Sequence, residues 1–194
     1  MKLGARIGLA AIVAALLLVG VPYLAGAILP REHVVTVTRE YPYSVALVWS
    51  LLDAPEARAD WSERVVGVEI VAIDEHGLPM WRERYDDGWV LTLQRVESVP
   101  LRRIVTRVVD EGQPFGGTWT IELEPLPAGT RVTVTEQGWI DSPLFRFVAH
   151  YITGLDGAAR EYLDELGEGL ARAARGGVNE TMGGNDEATQ QTEG

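Results

Sequence analysis

The chain contains no cysteine. That excludes disulfides, thiolate metal sites and a cysteine nucleophile, and it leaves the redox compartment open. Histidine is scarce. His33, His76 and His150 sit on separate segments, with no HxxxH or HExxH spacing, so a metal site has no basis. There is no GxSxG motif, no phosphate-binding loop and no dinucleotide fingerprint. Serine nucleophilic catalysis and nucleotide binding therefore lack support, and no cofactor is implied. No internal repeat is visible.

Basic residues are also few: 17 against 28 acidic, a net charge of −11. Residues 1–30 carry Lys2 and Arg6 and no acid; residues 176–194 carry Glu180, Asp186, Glu187 and Glu193 and no base. The segment between has 15 basic and 24 acidic residues, a balance of −9. That argues against a nucleic-acid binder and against electrostatic docking on anionic lipid. Such a charge most often marks a soluble domain.

Charge is absent altogether from Ile7 to Leu29, a run of 23 residues. A helix of about 20 apolar residues spans a bilayer, so the run reads as an N-terminal transmembrane anchor within residues 1–30. Lys2 and Arg6 precede it, which places the following domain on the non-cytoplasmic side. The alternative is a signal peptide cleaved after Ala27, since Ala25-Gly26-Ala27 supplies small residues and Pro22 a helix breaker. That alternative makes the domain secreted or periplasmic.

Residues 31–175 hold a domain of about 145 residues, enough to bury a core. His33–Glu40 is rich in β-branched residues and reads as a strand. Ser44 is placed to cap a helix bearing Val45, Val48, Trp49 and Leu52, and Pro55–Trp61 reads as a second short helix. Strands follow at Val65–Ile73, Met80–Tyr85, Trp89–Glu97, Leu101–Asp110, Thr118–Glu124 and Thr130–Gln137. Asp141 or Ser142 then caps a long amphipathic helix with Pro143 in its first turn, interrupted at Gly154 and Gly157. Residues 176–194 lack the apolar residues to fold and read as a disordered tail. One strand, short helices, a run of strands and one long helix make an α+β fold.

Three stretches carry a family resemblance. They are Tyr43–Asp53 with Trp61 downstream, Pro114–Trp119, and Gly129–Gly138 leading into Pro143–Phe147. On them the domain resembles the START/Bet v 1-like superfamily, also labelled SRPBCC or polyketide cyclase/dehydrase and lipid transport. The resemblance implies a helix-grip fold, a curved antiparallel sheet of about 6–7 strands wrapped on a long C-terminal helix. It also implies a pocket between sheet and helix for a lipid or other apolar molecule. It specifies activity poorly, since carriers, cyclases and hydratases share the fold.

Glu136 shares a strand face with Val132 and Val134, so a carboxylate ends an apolar face. It is either a polar anchor or acid/base in the pocket, or half of a structural ion pair with Arg146. An inward Arg82 would bind an anionic headgroup; a solvated outer face is the plainer reading. Trp119 lies on the face of Ile121 and Leu123. The ligand-binding candidates are Trp119, Glu136, Phe145, Ala149, Ile152, Arg82 and Tyr85; Glu136 is the only catalytic candidate. Three functions are open. They are a membrane-anchored non-catalytic binding domain, a cyclase or hydratase using Glu136 with Arg82 or Tyr85, and an interaction module with a filled core.

Overall fold

The computed structural model describes the backbone of residues 2–110 and 112–190, and the side chains of residues 7–8, 16–110 and 112–176. A helix, α1, runs Lys2–Ala27 with Pro22 inside it. Side chains 9–15 of the expected membrane span lie outside the described residues. Among the described residues, no helix is long and apolar enough to cross a membrane.

The domain begins with β1 (Glu32–Tyr41). Helix α2 (Val45–Asp53) follows, capped as expected by Ser44, which accepts from the Leu47 N–H at 3.3 Å. A 3-10 turn (Pro55–Ala57) leads into α3 (Arg58–Trp61). Six more strands complete the sheet: β2 (Val65–Ile73), β3 (Pro79–Tyr85), β4 (Val90–Val99), β5 (Arg103–Val108), β6 (Phe115–Leu126) and β7 (Gly129–Ile140). All pairings are antiparallel, in the order β1-β7-β6-β5-β4-β3-β2. The first strand thus closes beside the last, and everything between is a meander.

The long helix expected after Ser142 is broken in two. Ser142 caps α4 (Pro143–Val148), a π-helical turn covers Ala149–Thr153, and α5 starts at Gly157 and runs to Gln190. The break falls at Gly154, whose φ of +81° is left-handed and ends the first segment. Helix α5 continues past Arg175, where a disordered tail was expected. Side chains from 177 and backbone from 191 lie outside the described residues.

Helix α5 grips the sheet through Ala159, Leu163, Leu166 and Leu170, all fully buried. They pack with Val132 and Val134 of β7, Ile121 and Leu123 of β6, Val48 and Leu52 of α2, and Trp61 of α3. The spacing of these helix positions is the 3-and-4 stripe that one buried face requires. The Tyr41 hydroxyl donates to the Leu163 carbonyl at 2.6 Å and ties β1 to the same helix. Burial raises that hydroxyl's pKa, so it stays a donor.

The end of α1 packs on α4, and one buried side chain ties the two together. Arg146 donates from Nε to the Gly26 carbonyl at 2.9 Å, and from Nη1 to the carbonyls of Ile140 at 2.8 Å and Asp141 at 3.1 Å. The fit requires glycine, because a Cβ at Gly26 would stand 1.7 Å from the Pro143 carbonyl oxygen. Arg146→Met leaves those three carbonyls without their donor. It is expected to lower stability by about 2–3 kcal/mol and the melting temperature by roughly 4–12 °C. Arg146→Lys restores little, because an ammonium cannot reproduce the planar fork. Thermal melts followed by circular dichroism check this, and an unchanged melting temperature in Arg146→Met would contradict it.

Candidate ligand cavity

Helix α5 covers only part of the concave sheet face, and a cavity of about 560 Å³ remains beside it. A domain with a filled core, the third function open from the sequence, does not match that space. Each strand from β3 to β7 sends alternate residues into it. They are Trp81, Glu83 and Tyr85 from β3, Leu91, Leu93 and Arg95 from β4, Ile104 and Thr106 from β5, Gly117, Trp119 and Ile121 from β6, and Glu136 from β7. Period-two alternation is what puts every second residue on one face. Opposite them stand Arg58 of α3 and Tyr162 and Glu165 of α5. Trp89, Phe115, Trp139 and Phe145 also line it, with Trp89 stacked on Phe115 at 6.0 Å.

Glu136 keeps the parity read from the sequence, on the face of Val132 and Val134. Its partner is not Arg146, which is spent on backbone carbonyls, but His33 of β1. His33 Nε2 lies 3.4 Å from Glu136 Oε1. The pair forms because Gly138 stands opposite His33 in the β1–β7 register. A Cβ at Gly138 would come within 2.8 Å of His33 Nε2 and 3.0 Å of Glu136 Oε1. Burial pushes the Glu136 carboxyl above its ordinary pKa; the His33 ring and the nearby Trp119 indole oppose that rise. Glu136 Oε2 is sealed from solvent with no hydrogen-bond partner among the described residues.

A second polar group lies across the sheet. Glu83 accepts from the Trp81 indole at 3.0 Å and the Tyr85 hydroxyl at 2.9 Å, so both its oxygens are engaged though it is buried. Arg58 pairs with Glu165 at 2.9 Å and lies over the rings of Trp61 and Tyr162, 4.1 Å and 4.5 Å from their centroids. Arg95 donates from Nη2 to the Leu52 carbonyl at 2.9 Å and from Nη1 to the Asp53 carboxylate at 3.2 Å, closing the C-terminal end of α2. Tyr162 meets Trp119 edge-on at 5.5 Å.

Of the residues singled out from the sequence, Trp119, Glu136, Phe145, Ala149 and Tyr85 line the cavity. Two do not. Arg82 is on the outer face, paired loosely with Glu69 at 3.9 Å, because β3 turns Trp81 and Glu83 inward and its neighbours outward. Ile152 is 69% exposed, because the π-helical turn re-aims the side chains before Gly154. Sequence reasoning passed over His33, Arg58, Glu83, Arg95, Tyr162 and Glu165. The alternation Trp81-Glu83-Tyr85 was a usable signal for one of them, since two aromatics share the face of the acid.

Residues 32–174 match the family described as polyketide cyclase / dehydrase and lipid transport. The chain belongs to that family. No curated protein matches the chain by sequence. Among solved structures, a START superfamily protein from Mycobacterium smegmatis is similar at 19% identity and a TM-score of 0.59, over 73% of this chain and 99% of that one. The Zhui aromatase/cyclase from Streptomyces sp. R1128 is similar at 18% identity and a TM-score of 0.59, over 74% and 94%. The di-domain aromatase/cyclase StfQ of steffimycin biosynthesis is similar at 13% and 0.60, over 75% and 53%. At such identities the likeness is one of fold, and it establishes the helix-grip architecture of the polyketide cyclase / dehydrase and lipid transport family here.

The raised Glu136 carboxyl has a consequence for stability. The folded chain holds that proton at pH values where the unfolded chain has lost it, so folding is weakened as pH rises from the ordinary value of 4.5 through the folded one. Glu136→Gln removes the ionisable group and is expected to melt above the wild type near neutral pH. The gap should close as pH falls toward 4.5. Melting curves of both proteins across that range check this, and a gap that widens on acidification would contradict it.

Proposed function

We propose that the chain is a membrane-tethered binding domain that holds a lipid or another apolar small molecule without transforming it. The observation that carries this reading is the cavity, about 560 Å³ between sheet and helix, walled mainly by aromatic and aliphatic side chains. A space of that size and lining fits a ligand of a few hundred daltons. Membership of a family that includes lipid transport supports it. The uncharged run Ile7–Leu29 after Lys2 and Arg6 supports the tether and a non-cytoplasmic domain. A tethered carrier meets a membrane-borne ligand at high local concentration.

A second reading is favoured by the His33–Glu136 pair beside Trp119. A carboxyl raised by burial and hydrogen-bonded to an imidazole is a proton-transfer device, as a cyclase or hydratase needs. In that reading Glu136 is the acid/base, His33 orients it, and Tyr85 engages Glu83 rather than a substrate. Arg82, on the outer face, has no part.

Native mass spectrometry of the full chain purified from cells, followed by extraction of whatever is bound, separates the cases. A binding domain is expected to carry a reproducible apolar molecule released unchanged. An empty protein that also fails to take up N-phenyl-1-naphthylamine would defeat the binding reading. The proton-transfer reading predicts that 2-dodecanone exchanges its α-protons in D2O with the wild type and not with Glu136→Gln.

A further inference from the structure

The end of the domain that receives α1 carries an apolar surface, although the chain as a whole has a net charge of −11. The antiparallel meander brings the start of β1, the start of β6 and the end of β7 to one end of the sheet, where β7 leads into α4. The segment from Pro143 to Leu155 contains no acid, and its one arginine, Arg146, is buried on backbone carbonyls. Leu144, Phe145, Tyr151 and Ile152 of that segment are all exposed. The π-helical turn at Ala149–Thr153 is what sends Tyr151 and Ile152 outward, so the break before Gly154 helps to build this surface. Apolar side chains grouped in this way, uncovered among the described residues, mark an interaction site.

The surface is continuous with α1. Gly26 packs so closely on α4 that a Cβ there would meet the Pro143 carbonyl oxygen, and Arg146 Nε bonds the Gly26 carbonyl at 2.9 Å. Leu24 and Ile28, on the adjoining turns, are exposed as well. The tether then sets the depth of α4. Gly26 lies three residues short of Leu29, where the uncharged run ends, which is about 4.5 Å along a helix axis. A run that spans a bilayer ends at the headgroup boundary, so α4, held at Gly26, lies at that boundary too. Interfacial helices rest there with their apolar side about 5–10 Å deep, and aromatic side chains are enriched at that level.

The mouth of the cavity is at the same end. Trp89, Trp139 and Phe145 line the cavity and are each more than a third exposed, so they mark where it opens. The charged side chains that also line it there are paired with one another: Arg64 lies 3.6 Å from Asp87 and 3.5 Å from Glu161. No cation is left over to attract an anionic headgroup, so a membrane contact here draws on apolar burial rather than charge.

We propose that α4 and the π-helical turn dock into the surface of a neutral lipid bilayer through Leu144, Phe145, Tyr151 and Ile152, turning the mouth of the cavity to the membrane. This rests on the tethered binding reading above and adds the orientation of the domain to it.

The chain has no cysteine, so one introduced at Ile152 is a unique site for a fluorescent NBD label. Ile152→Cys and Tyr151→Cys replace exposed side chains, and Ala128→Cys, in the β6–β7 turn at the opposite end of the sheet, is the control. Each labelled full chain is reconstituted into phosphatidylcholine vesicles. At positions 151 and 152 a nitroxide placed high on the lipid acyl chain should quench roughly half the emission, since a docked interfacial segment sits only about 5–10 Å deep. Aqueous iodide should quench the label at 128 and spare the other two. Adding phosphatidylserine or high salt should change none of this. Labels at 151 and 152 that iodide reaches as readily as the one at 128, on chains that float with the vesicles, would overturn the docking and leave the tether. Labels shielded from iodide yet untouched by the lipid nitroxide would overturn it in favour of a second copy of the chain on this surface. Chains that fail to float with the vesicles would overturn the tether as well.

Discussion

The seam between α5 and the inner face of β7 and β6 is the contact on which the rest of the molecule depends. Ala159, Leu163, Leu166 and Leu170 lie against Val132, Val134, Ile121 and Leu123, and all but the last two are completely buried. Burying a leucine side chain contributes about 1.5–3 kcal/mol, so this seam is a large share of what holds helix to sheet. It also decides where there is no contact. A straight helix meets a curved sheet along a limited length, and beyond the seam the concave face has nothing to pack on. The cavity is the space that results, and the aromatic side chains of β3, β6 and α5 make it narrow.

A cavity inside a domain this size would be easier to keep if its wall were apolar throughout. Here the wall includes Glu83, Arg58, Arg95, Glu165 and the His33–Glu136 pair. Most of these are held in place by something other than a ligand. Arg95 closes the C-terminal end of α2, Glu165 takes Arg58, Ser62 and the Glu63 N–H, and Glu83 takes an indole and a phenol. Such groups are tolerable because their partners are local and fixed. Glu136 Oε2, sealed and without a partner among the described residues, stands out against that background.

Much of the fold was legible in the sequence because it is written in local pattern. Alternating β-branched residues gave the strands, Ser44 and Ser142 gave the helix caps, and Gly154 marked the break before α5. The parity of β7, with Glu136 inward, held because its pairing with β6 has no bulge. Four features were not legible. The His33–Glu136 pair depends on the β1–β7 register across about a hundred residues and on the missing side chain of Gly138, neither of which a local pattern contains. The facing of β3 was ambiguous, since charged residues fall on both of its sides and only the aromatics flanking Glu83 distinguish them. Ile152 was placed by helical spacing that a π-helical turn then shifted. Arg146 was one of two readings for Glu136, as its ion-pair partner, and three backbone carbonyls claim it instead.

The central claim is that an apolar molecule occupies the space between Trp119, Tyr162 and the sheet. A crystal structure of the full chain with 12-bromododecan-1-ol, recorded at the bromine absorption edge, tests it most directly. The account predicts one strong anomalous peak inside the cavity, with the chain running past Leu93 and Ile104. A protein that crystallises with the compound present and shows bromine only on its surface would contradict it.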